Sequence, residues 1–195
     1  IKIVYTVDEF RKMIASWRRE YLSVGLVPTM GALHQGHYSL IKRSVAENDR
    51  TCVTIFVNPR QFGPNEDFKS YPRDQKKDVA GLADAQADLL FSPSVAEIYK
   101  EGSATSISVP GIADRLEGVF RPGFFSGVVT VVAKFFNQAL PDRAYFGEKD
   151  YQQICVIKRM TTDLDIPVDI ISCPIIREPD MLALSSRNQY LSSKQ

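Results

Sequence analysis

The chain has 195 residues, of which 44% are hydrophobic and 24% are charged, so its length fits one domain with a full hydrophobic core. The formal net charge is +1, without a block of five or six like charges, which argues against a nucleic-acid or anionic-membrane binder. No apolar run approaches the roughly 18 residues that a transmembrane helix needs. The start, Ile1-Lys2-Ile3, carries no signal-peptide pattern, so we expect a trimmed or processed start of a cytoplasmic protein.

The three cysteines are far apart in the sequence and lack the Cys-x-x-Cys spacing of a zinc or redox site. Cys52, Cys155 and Cys173 each stand among apolar neighbours. We therefore expect buried structural thiols and no disulfide framework.

Short β-rich apolar runs alternate with helix-period segments, which predicts βαβ units on a parallel sheet and an α/β fold. Strands are predicted at residues 2–5, 24–27, 51–57, 89–91, 106–109, 143–146 and 168–172. A capping box, Thr6-Val7-Asp8-Glu9, opens the first helix, which runs to about Tyr21. Further helices are predicted at residues 37–48, 74–87, 112–116, 127–140 and 150–163.

Both histidines lie in one window, Gly31-Ala32-Leu33-His34-Gln35-Gly36-His37, between a predicted strand and a predicted helix. A helix N-terminus offers unpaired amides and partial positive charge, glycines let the backbone approach a ligand, and imidazoles add hydrogen-bond donors. We therefore expect His34 and His37 to face one phosphate chain.

This window has three other interpretations. The imidazoles could instead cap the helix or pack on the sheet. The spacing of Gly31 and Gly36 matches a P-loop, but His37 and Tyr38 stand where that loop needs Lys and a hydroxyl. Two histidines without a third ligand nearby make a poor zinc site.

Further motifs follow this window in order along nearly the whole chain. They are Phe56-Val57-Asn58-Pro59-Arg60-Gln61-Phe62, Tyr71-Pro72-Arg73-Asp74, Arg121-Pro122-Gly123, Gly147-Glu148-Lys149-Asp150-Tyr151-Gln152-Gln153 and Leu184-Ser185-Ser186-Arg187-Asn188. Together with Pro28-Thr29-Met30 and the histidine window, they resemble the pantothenate synthetase (pantoate:β-alanine ligase) family of the HIGH-motif nucleotidylyl-transferase superfamily.

The resemblance implies an AMP-forming ligase with ATP as a substrate and Mg²⁺ as a cofactor. Pantoate and ATP would give pantoyl adenylate and pyrophosphate, and β-alanine would then displace AMP to give pantothenate. A carboxylate with a reference pKa near 4 is already ionised at neutral pH, so its attack on the α-phosphorus needs no general base. The remaining task is to position anions and neutralise phosphate charge.

The resemblance also assigns residues, with His37, His34, Lys149 and Arg187 as the catalytic set and His37 as the acid that stabilises the leaving pyrophosphate. The expected ATP-binding residues are Met30, Gly31, His34, Gly36, His37, Gly147, Glu148, Lys149, Asp150, Ile176, Leu184, Ser185, Ser186 and Arg187. The expected residues for pantoate and β-alanine are Gln61, Gln153, Met30, Phe62 and Asn58. Asp78 and Asp150 are the candidate Mg²⁺ contacts.

Three positions depart from the family pattern. Phe124 stands where His is usual, so a polar contact is lost or the position only packs. Met181 stands where Gly is usual, and it would strain the loop before Ser185 if Gly served a positive φ. Leu184 stands where Met is usual, which puts the adenine contacts in doubt.

The resemblance implies a Rossmann-like doubly wound parallel sheet with helices on both faces. Residues 1–175 would form the ATP- and pantoate-binding domain, and residues 176–195 a mobile phosphate-binding segment that leads to a C-terminal lid domain absent from this chain. Since a lid excludes water, we expect weak binding and slow turnover from these residues alone. The family tendency implies a homodimer.

Two other functions stay open on the sequence. Another superfamily member that couples a phosphate substrate to a nucleotide would need an extra basic cluster opposite His34 and His37, which Gln61 and Gln153 do not provide. A nucleotide-binding module without catalysis would share the phosphate site but carry out no exchange of pyrophosphate.

Overall fold

Six parallel strands form one sheet in residues 1–192, the part of the chain that this computed structural model describes. The strands are β1 (Lys2–Val4), β2 (Val24–Thr29), β3 (Arg50–Ile55), β4 (Leu89–Phe91), β5 (Arg143–Gly147) and β6 (Asp169–Cys173). The helices are α1 (Val7–Arg19), α2 (Gln35–Glu47), α3 (Gln75–Asp84), α4 (Val95–Ile98), α5 (Glu117–Phe120), α6 (Phe124–Ala139) and α7 (Tyr151–Asp163). Short 3₁₀ turns lie at Pro59–Gln61, Glu148–Asp150 and Ser186–Tyr190.

Helices cover both faces of the sheet, because successive strand residues point to opposite sides. One face packs against α1, α6 and α7 through Leu26, Cys52, Leu89 and Ala144. The other face packs against α2 and α3 through Val27, Val53, Leu90 and Tyr145. The doubly wound α/β architecture predicted from the sequence is therefore confirmed.

Local signals in the sequence account for several element boundaries. The Thr6 side chain accepts from the Glu9 amide and the Glu9 carboxylate accepts from the Thr6 amide, so the predicted capping box opens α1. Cys52 and Cys173 are buried as expected, whereas Cys155 is only partly buried. None of the helices described is both long and apolar enough to cross a bilayer.

Two predicted elements are wrong. Residues 106–109 form no strand, because the Ile107 amide donates to Thr130 Oγ1 and its carbonyl accepts from Ser126 Oγ, both on α6 rather than on a strand. Residues 112–116 form turns rather than a helix. Leu116 has a φ of 48°, and the Gln152 side chain donates to the Ile112 and Arg115 carbonyls, in place of helical bonds.

The strand order places β2 beside β5 at the centre of the sheet. The order is β1-β4-β3-β2-β5-β6, so the chain winds outward from β2 through β3 to β4 and then returns to β5 on the other side. In open parallel sheets such a reversal leaves a crevice at the carboxyl ends of the two central strands. The histidine loop (residues 29–37) follows β2, and the Lys149 turn (Glu148–Asp150) follows β5. Both therefore open into that crevice.

Candidate active site

A cleft of about 320 Å³ lies at the carboxyl ends of β2 and β5. Its lining includes the four residues expected to bind phosphate, His34, His37, Lys149 and Arg187. The other expected ligand-binding residues that line it are Met30, Gln61, Phe62, Asp150, Gln153, Ser185 and Ser186. Residues from four separated stretches of sequence therefore meet in one cleft.

A narrower slot of about 110 Å³ adjoins this cleft. It shares His34, His37, Lys149 and Gln153 with the cleft. Its far wall adds Gly36, Gly147, Ile176 and Leu184, all of which the sequence assigned to ATP. A slot with an apolar wall, beside a cleft that holds Lys149 and Arg187, suits a purine base attached to a phosphate chain.

The two imidazoles are tied to the start of α2. His34 caps the helix, since its Nδ1 accepts from the Gly36 amide at 3.2 Å. His37 Nδ1 accepts from the His34 amide at 3.3 Å, and the ring centroids are 4.1 Å apart. Because each Nδ1 accepts, a neutral ring carries its proton on Nε2, which is left to donate to a ligand. Helix capping, which the sequence presented as an alternative to ligand binding, therefore leaves the Nε2 atom of each ring available to a ligand.

Both imidazoles are held neutral. Burial lowers the pKa of His37 to about 3, with further lowering from His34 and Lys149. Burial and Lys149 also lower the pKa of His34. The effect of Lys149 on both rings reflects their proximity, so the free site offers neutral N–H donors beside the Lys149 ammonium.

The Asp78 side chain holds the histidine loop in place by hydrogen bonds to its backbone. Its carboxylate accepts from the amides of Ala32 at 2.9 Å and Leu33 at 2.7 Å, and the residue is almost fully buried. A Cβ at Gly31, which has a φ of +87°, would lie 3.1 Å from the same carboxylate. Asp78 lies outside both the cleft and the slot, so the geometry gives it a role in shaping the loop and not the expected contact with Mg²⁺.

Lys149 and Asp150 stand side by side at the turn after β5. Lys149 Nζ lies 2.8 Å from Asp150 Oδ1, and both side chains are substantially exposed. An exposed pair of this kind contributes little to stability, so the ammonium can exchange its partner for a phosphate at small cost. Glu148 in the same turn lines neither cavity.

Arg187 reaches the cleft from the last described segment of the chain. Its guanidinium makes a bidentate pair with Asp67, at 3.0 Å and 2.8 Å, and lies over the ring of Tyr71. Ser186 Oγ donates to the Ala32 carbonyl at 3.0 Å, which fastens this segment to the histidine loop. Residues 193–195, the end of the predicted phosphate-binding segment 176–195, lie outside the described residues.

Gln61 and Asn58, both assigned to substrate, differ in position. Gln61 lines the cleft, where its Nε2 donates to Met30 Sδ at 3.1 Å. Asn58 is 1% exposed and lies behind Gln61, outside the cleft, with its Nδ2 donating to Gln61 Oε1 at 3.0 Å. Its assignment as a substrate contact is therefore replaced by a role in holding Gln61.

Arg121 lines the cleft, although the sequence pattern assigned it no role beyond its place in a motif. Its guanidinium pairs with Glu66 at 2.6 Å and with Glu117 at 2.8 Å. It also covers the ring of Phe124, 3.7 Å from the centroid, so the packing alternative for Phe124 fits the structure. The motif Arg121-Pro122-Gly123 was the available signal, but it does not reveal the pairing with Glu66, which lies 55 residues away.

Met181 has a φ of +74°, so the predicted strain in the loop before Ser185 is present. The residue ends a tight turn in which its amide donates to the Glu178 carbonyl, while Arg177 and Ala183 pair across the hairpin. Glycine is favoured at such a position because it lacks a Cβ. Leu184, the neighbouring departure, lies in the apolar slot.

Comparison with known proteins decides the family. The family model of pantoate-beta-alanine ligase matches residues 2–195. The chain belongs to this family. The resemblance seen in the sequence is confirmed, and with it the assignment as an enzyme that ligates pantoate to β-alanine.

Individual members of the pantoate-beta-alanine ligase family agree closely with the chain. Pantothenate synthetase of Paramagnetospirillum magneticum is 56% identical over all 195 residues, which span 69% of that protein. A crystal structure of the Thermus thermophilus enzyme has a TM-score of 0.95 at 52% identity, covering 100% of this chain and 69% of that one. A Francisella tularensis structure, described as complexed with beta-gamma ATP and beta-alanine, has a TM-score of 0.94 at 45% identity and covers 99% of this chain and 74% of that one.

Proposed function

We propose that this ligase joins pantoate to β-alanine through a pantoyl adenylate, with ATP as the source of the adenylyl group. One observation carries the proposal. A single cleft brings together cationic and N–H donor groups, from His34, His37 and Lys149, and neutral amides beside apolar side chains, from Gln61 and Gln153. The first set of groups suits a triphosphate, and the second suits a small hydroxy acid.

In the first step a pantoate carboxylate oxygen attacks the α-phosphorus of ATP. The bond from that phosphorus to the β-phosphate bridging oxygen breaks, and pyrophosphate leaves with the electron pair. Because the nucleophile is already ionised, the site needs to position it and to stabilise charge on the phosphate oxygens.

The charge-stabilising groups reach the phosphates from two sides. His34 and His37 offer Nε2–H donors from the start of α2, and Lys149 adds a cation from the turn after β5. The planar guanidinium of Arg187 would contribute from the segment at residues 185–187. A bound polyanion would raise the pKa of His37 from about 3, which would strengthen its donation to the leaving pyrophosphate.

Pantoate would lie against Gln61 and Gln153, whose amides bond to hydroxyl and carboxylate oxygens without leaving an unpaired charge. Met30 and Phe62 would supply the apolar wall for its gem-dimethyl group. In the second step the β-alanine nitrogen attacks the acyl carbon. The acyl carbon–oxygen bond to AMP then breaks, the nitrogen loses a proton, and AMP departs.

We propose Asp150 as the carboxylate that would hold Mg²⁺ on the ATP phosphates. The side chain is half-exposed, lines the cleft and stands next to Lys149, which fits a cation that takes one or two carboxylates together with phosphate oxygens. Bound there, Mg²⁺ would neutralise part of the phosphate charge. Among residues 1–192 no group of three His, Cys, Asp or Glu side chains could form an all-protein metal site.

Assembly as a homodimer stays a proposal, and sedimentation velocity of the chain at several concentrations tests it. A mass that stays at the monomer value of 21.9 kDa at all concentrations would contradict it.

The reaction is tested by pantoate-dependent exchange of labelled pyrophosphate into ATP. We expect exchange by the wild-type chain only with pantoate present, and a large loss in both His37→Ala and Gln153→Ala. Lys158→Ala, an exposed change on the same helix as Gln153, is the control and should keep full exchange. Exchange without pantoate would favour another adenylyl transfer, and ATP binding without any exchange would favour a non-catalytic nucleotide-binding module.

A further inference from the structure

The Asn58 side chain is fixed in one orientation by the backbone on both sides. Its Oδ1 accepts from the Arg60 amide at 3.2 Å, and its Nδ2 donates to the Gly127 carbonyl at 3.0 Å. A backbone amide can only donate and a carbonyl can only accept, so a flipped Asn58 would lose both bonds. The oxygen and the nitrogen of this buried amide are therefore assigned without ambiguity.

The orientation of Asn58 determines that of Gln61. Asn58 Nδ2 donates to Gln61 Oε1 at 3.0 Å, so the oxygen of Gln61 is turned toward the protein interior. The Gln61 nitrogen must then face the other way, where one N–H meets Met30 Sδ at 3.1 Å. Gln61 therefore presents only donors to the cleft, and its substrate partner must be an acceptor such as a carboxylate or hydroxyl oxygen.

Tyr99 is the third member of this chain of hydrogen bonds, and it lies outside the cleft. Its hydroxyl donates to Asn58 Oδ1 at 2.9 Å, while the Arg60 guanidinium covers its ring at 4.1 Å from the centroid. Burial raises the pKa of Tyr99 to about 12, so the hydroxyl keeps its proton throughout the working range of the enzyme. A hydroxyl that always carries its proton can serve as a constant donor to Asn58.

The backbone leaves room for this arrangement only because residue 127 is glycine. A Cβ at Gly127 would collide with the Arg60 carbonyl and come within 2.8 Å of the backbone nitrogen of Gln61. The close approach of α6 to the turn at Pro59–Gln61 brings the Gly127 carbonyl to Asn58. The helix α6, the turn at Pro59–Gln61 and the hydrogen bonds of Asn58 together fix the position of the Gln61 side-chain amide.

We propose that Tyr99 is a positioning residue that acts through Asn58 to hold Gln61 as a hydrogen-bond donor toward pantoate. The inference rests on the proposed function, since it assumes that Gln61 binds pantoate. Tyr99 lies outside the cleft, yet it should affect the KM for pantoate. This effect should disappear in a Gln61→Ala variant.

A double-mutant cycle on the 195-residue chain tests the proposal through pantoate-dependent pyrophosphate exchange. Tyr99→Phe keeps the ring under Arg60 and removes only the hydroxyl. One buried hydrogen bond corresponds to a change of about 5-fold, so we expect the KM for pantoate to rise by about that factor while the KM for ATP stays unchanged. In the Gln61→Ala background, Tyr99→Phe should change the KM for pantoate by less than about 2-fold.

Tyr21→Phe, which removes a hydroxyl from a 96% exposed side chain, is the control and should leave both KM values unchanged. The melting temperature of each variant shows that it is folded. Equal effects of Tyr99→Phe with and without Gln61, or equal rises in the KM for pantoate and ATP, would overturn the positioning role. Failure of Gln61→Ala itself to raise the KM for pantoate would instead overturn the proposed role of Gln61 in pantoate binding.

Discussion

The two walls of the phosphate cleft are built in different ways. The histidine loop, residues 29–37, rests on buried Asp78 and packs Leu33 into the core. The other wall, residues 176–190, has no buried residue and is held by the pair of Arg187 with Asp67, by side-chain hydrogen bonds of Ser186 and Tyr190 and by a short hairpin. Segments held by a few exposed polar contacts open at low free-energy cost, so the first wall is preformed and the second is the adjustable one.

The largest effect should come from removing the support of the preformed wall. Asp78→Asn keeps one acceptor oxygen but turns an amide group toward backbone N–H donors. Leaving such groups unpaired in the interior should lower the free energy of unfolding by about 3 kcal/mol, as measured by urea denaturation. Asp74→Asn on the same helix is the control, because Asn caps helices as well as Asp does, and it should cost almost nothing. Equal stability of the two variants would contradict the assigned role of Asp78.

A smaller effect is expected on the adjustable wall from Asp67→Asn. The pair that it weakens is partly exposed, with Arg187 at 41%, so solvent screening limits its contribution to below about 1 kcal/mol. The change should appear as faster amide hydrogen exchange in residues 183–190, with no change in residues 29–37. Asp163→Asn, which breaks a comparable exposed pair with Arg159, is the control and should leave both segments unchanged. Acceleration in both walls would mean that they open together.

Met181→Gly should stabilise the adjustable wall by about 0.5 kcal/mol. Relief of the positive φ favours the variant, while the greater freedom of glycine in the unfolded chain opposes it. Chemical denaturation measures the difference. Leu182→Gly next to it, where φ is not positive, should instead destabilise the chain by a similar amount. Destabilisation of the same size in both variants would show that the φ of Met181 carries no strain.

The smallest expected effect concerns His37, which should take up no proton in the folded chain between pH 8 and pH 5. With a pKa of about 3, His37 should show no change in its Cε1–H NMR signal between pH 8 and pH 5, and the signal is assigned by its loss in His37→Gln. The unfolded chain takes up this proton near pH 6.5, so the stability tied to neutral His37 is complete above pH 6.5 and is lost progressively as the pH falls toward 3. A midpoint near 6.5 in the folded chain would contradict the burial of the ring.

Most of the fold could be predicted because its signals are local. Apolar strands, helix periods and the Thr6 capping box are each encoded within a few residues. The pairing of His34 with His37 was visible for the same reason. The wrong elements at residues 106–116 depend on distant partners, since Thr130 and Gln152 take the hydrogen bonds that a strand or helix would have used.

The site was predicted less completely, because its supports come from far along the chain. Asp78 holds amides 45 and 46 residues away, and a sequence pattern shows only an acidic residue near a helix start. Arg121 likewise meets Glu66 across 55 residues. The residues proposed to touch a ligand lie in family motifs, whereas the residues that position them are recognised only when the chain is folded.

The central claim is that His34, His37, Lys149 and Arg187 share one triphosphate across the two walls. Equilibrium binding of ATP and of AMP by calorimetry tests it in His34→Ala, His37→Ala, Lys149→Ala and Arg187→Ala. Because AMP lacks the β- and γ-phosphates, each variant should weaken ATP binding by about 10-fold or more beyond its effect on AMP binding, which corresponds to about 1.4 kcal/mol of selective loss. A variant that binds ATP normally, or that loses ATP and AMP equally, would contradict the claim.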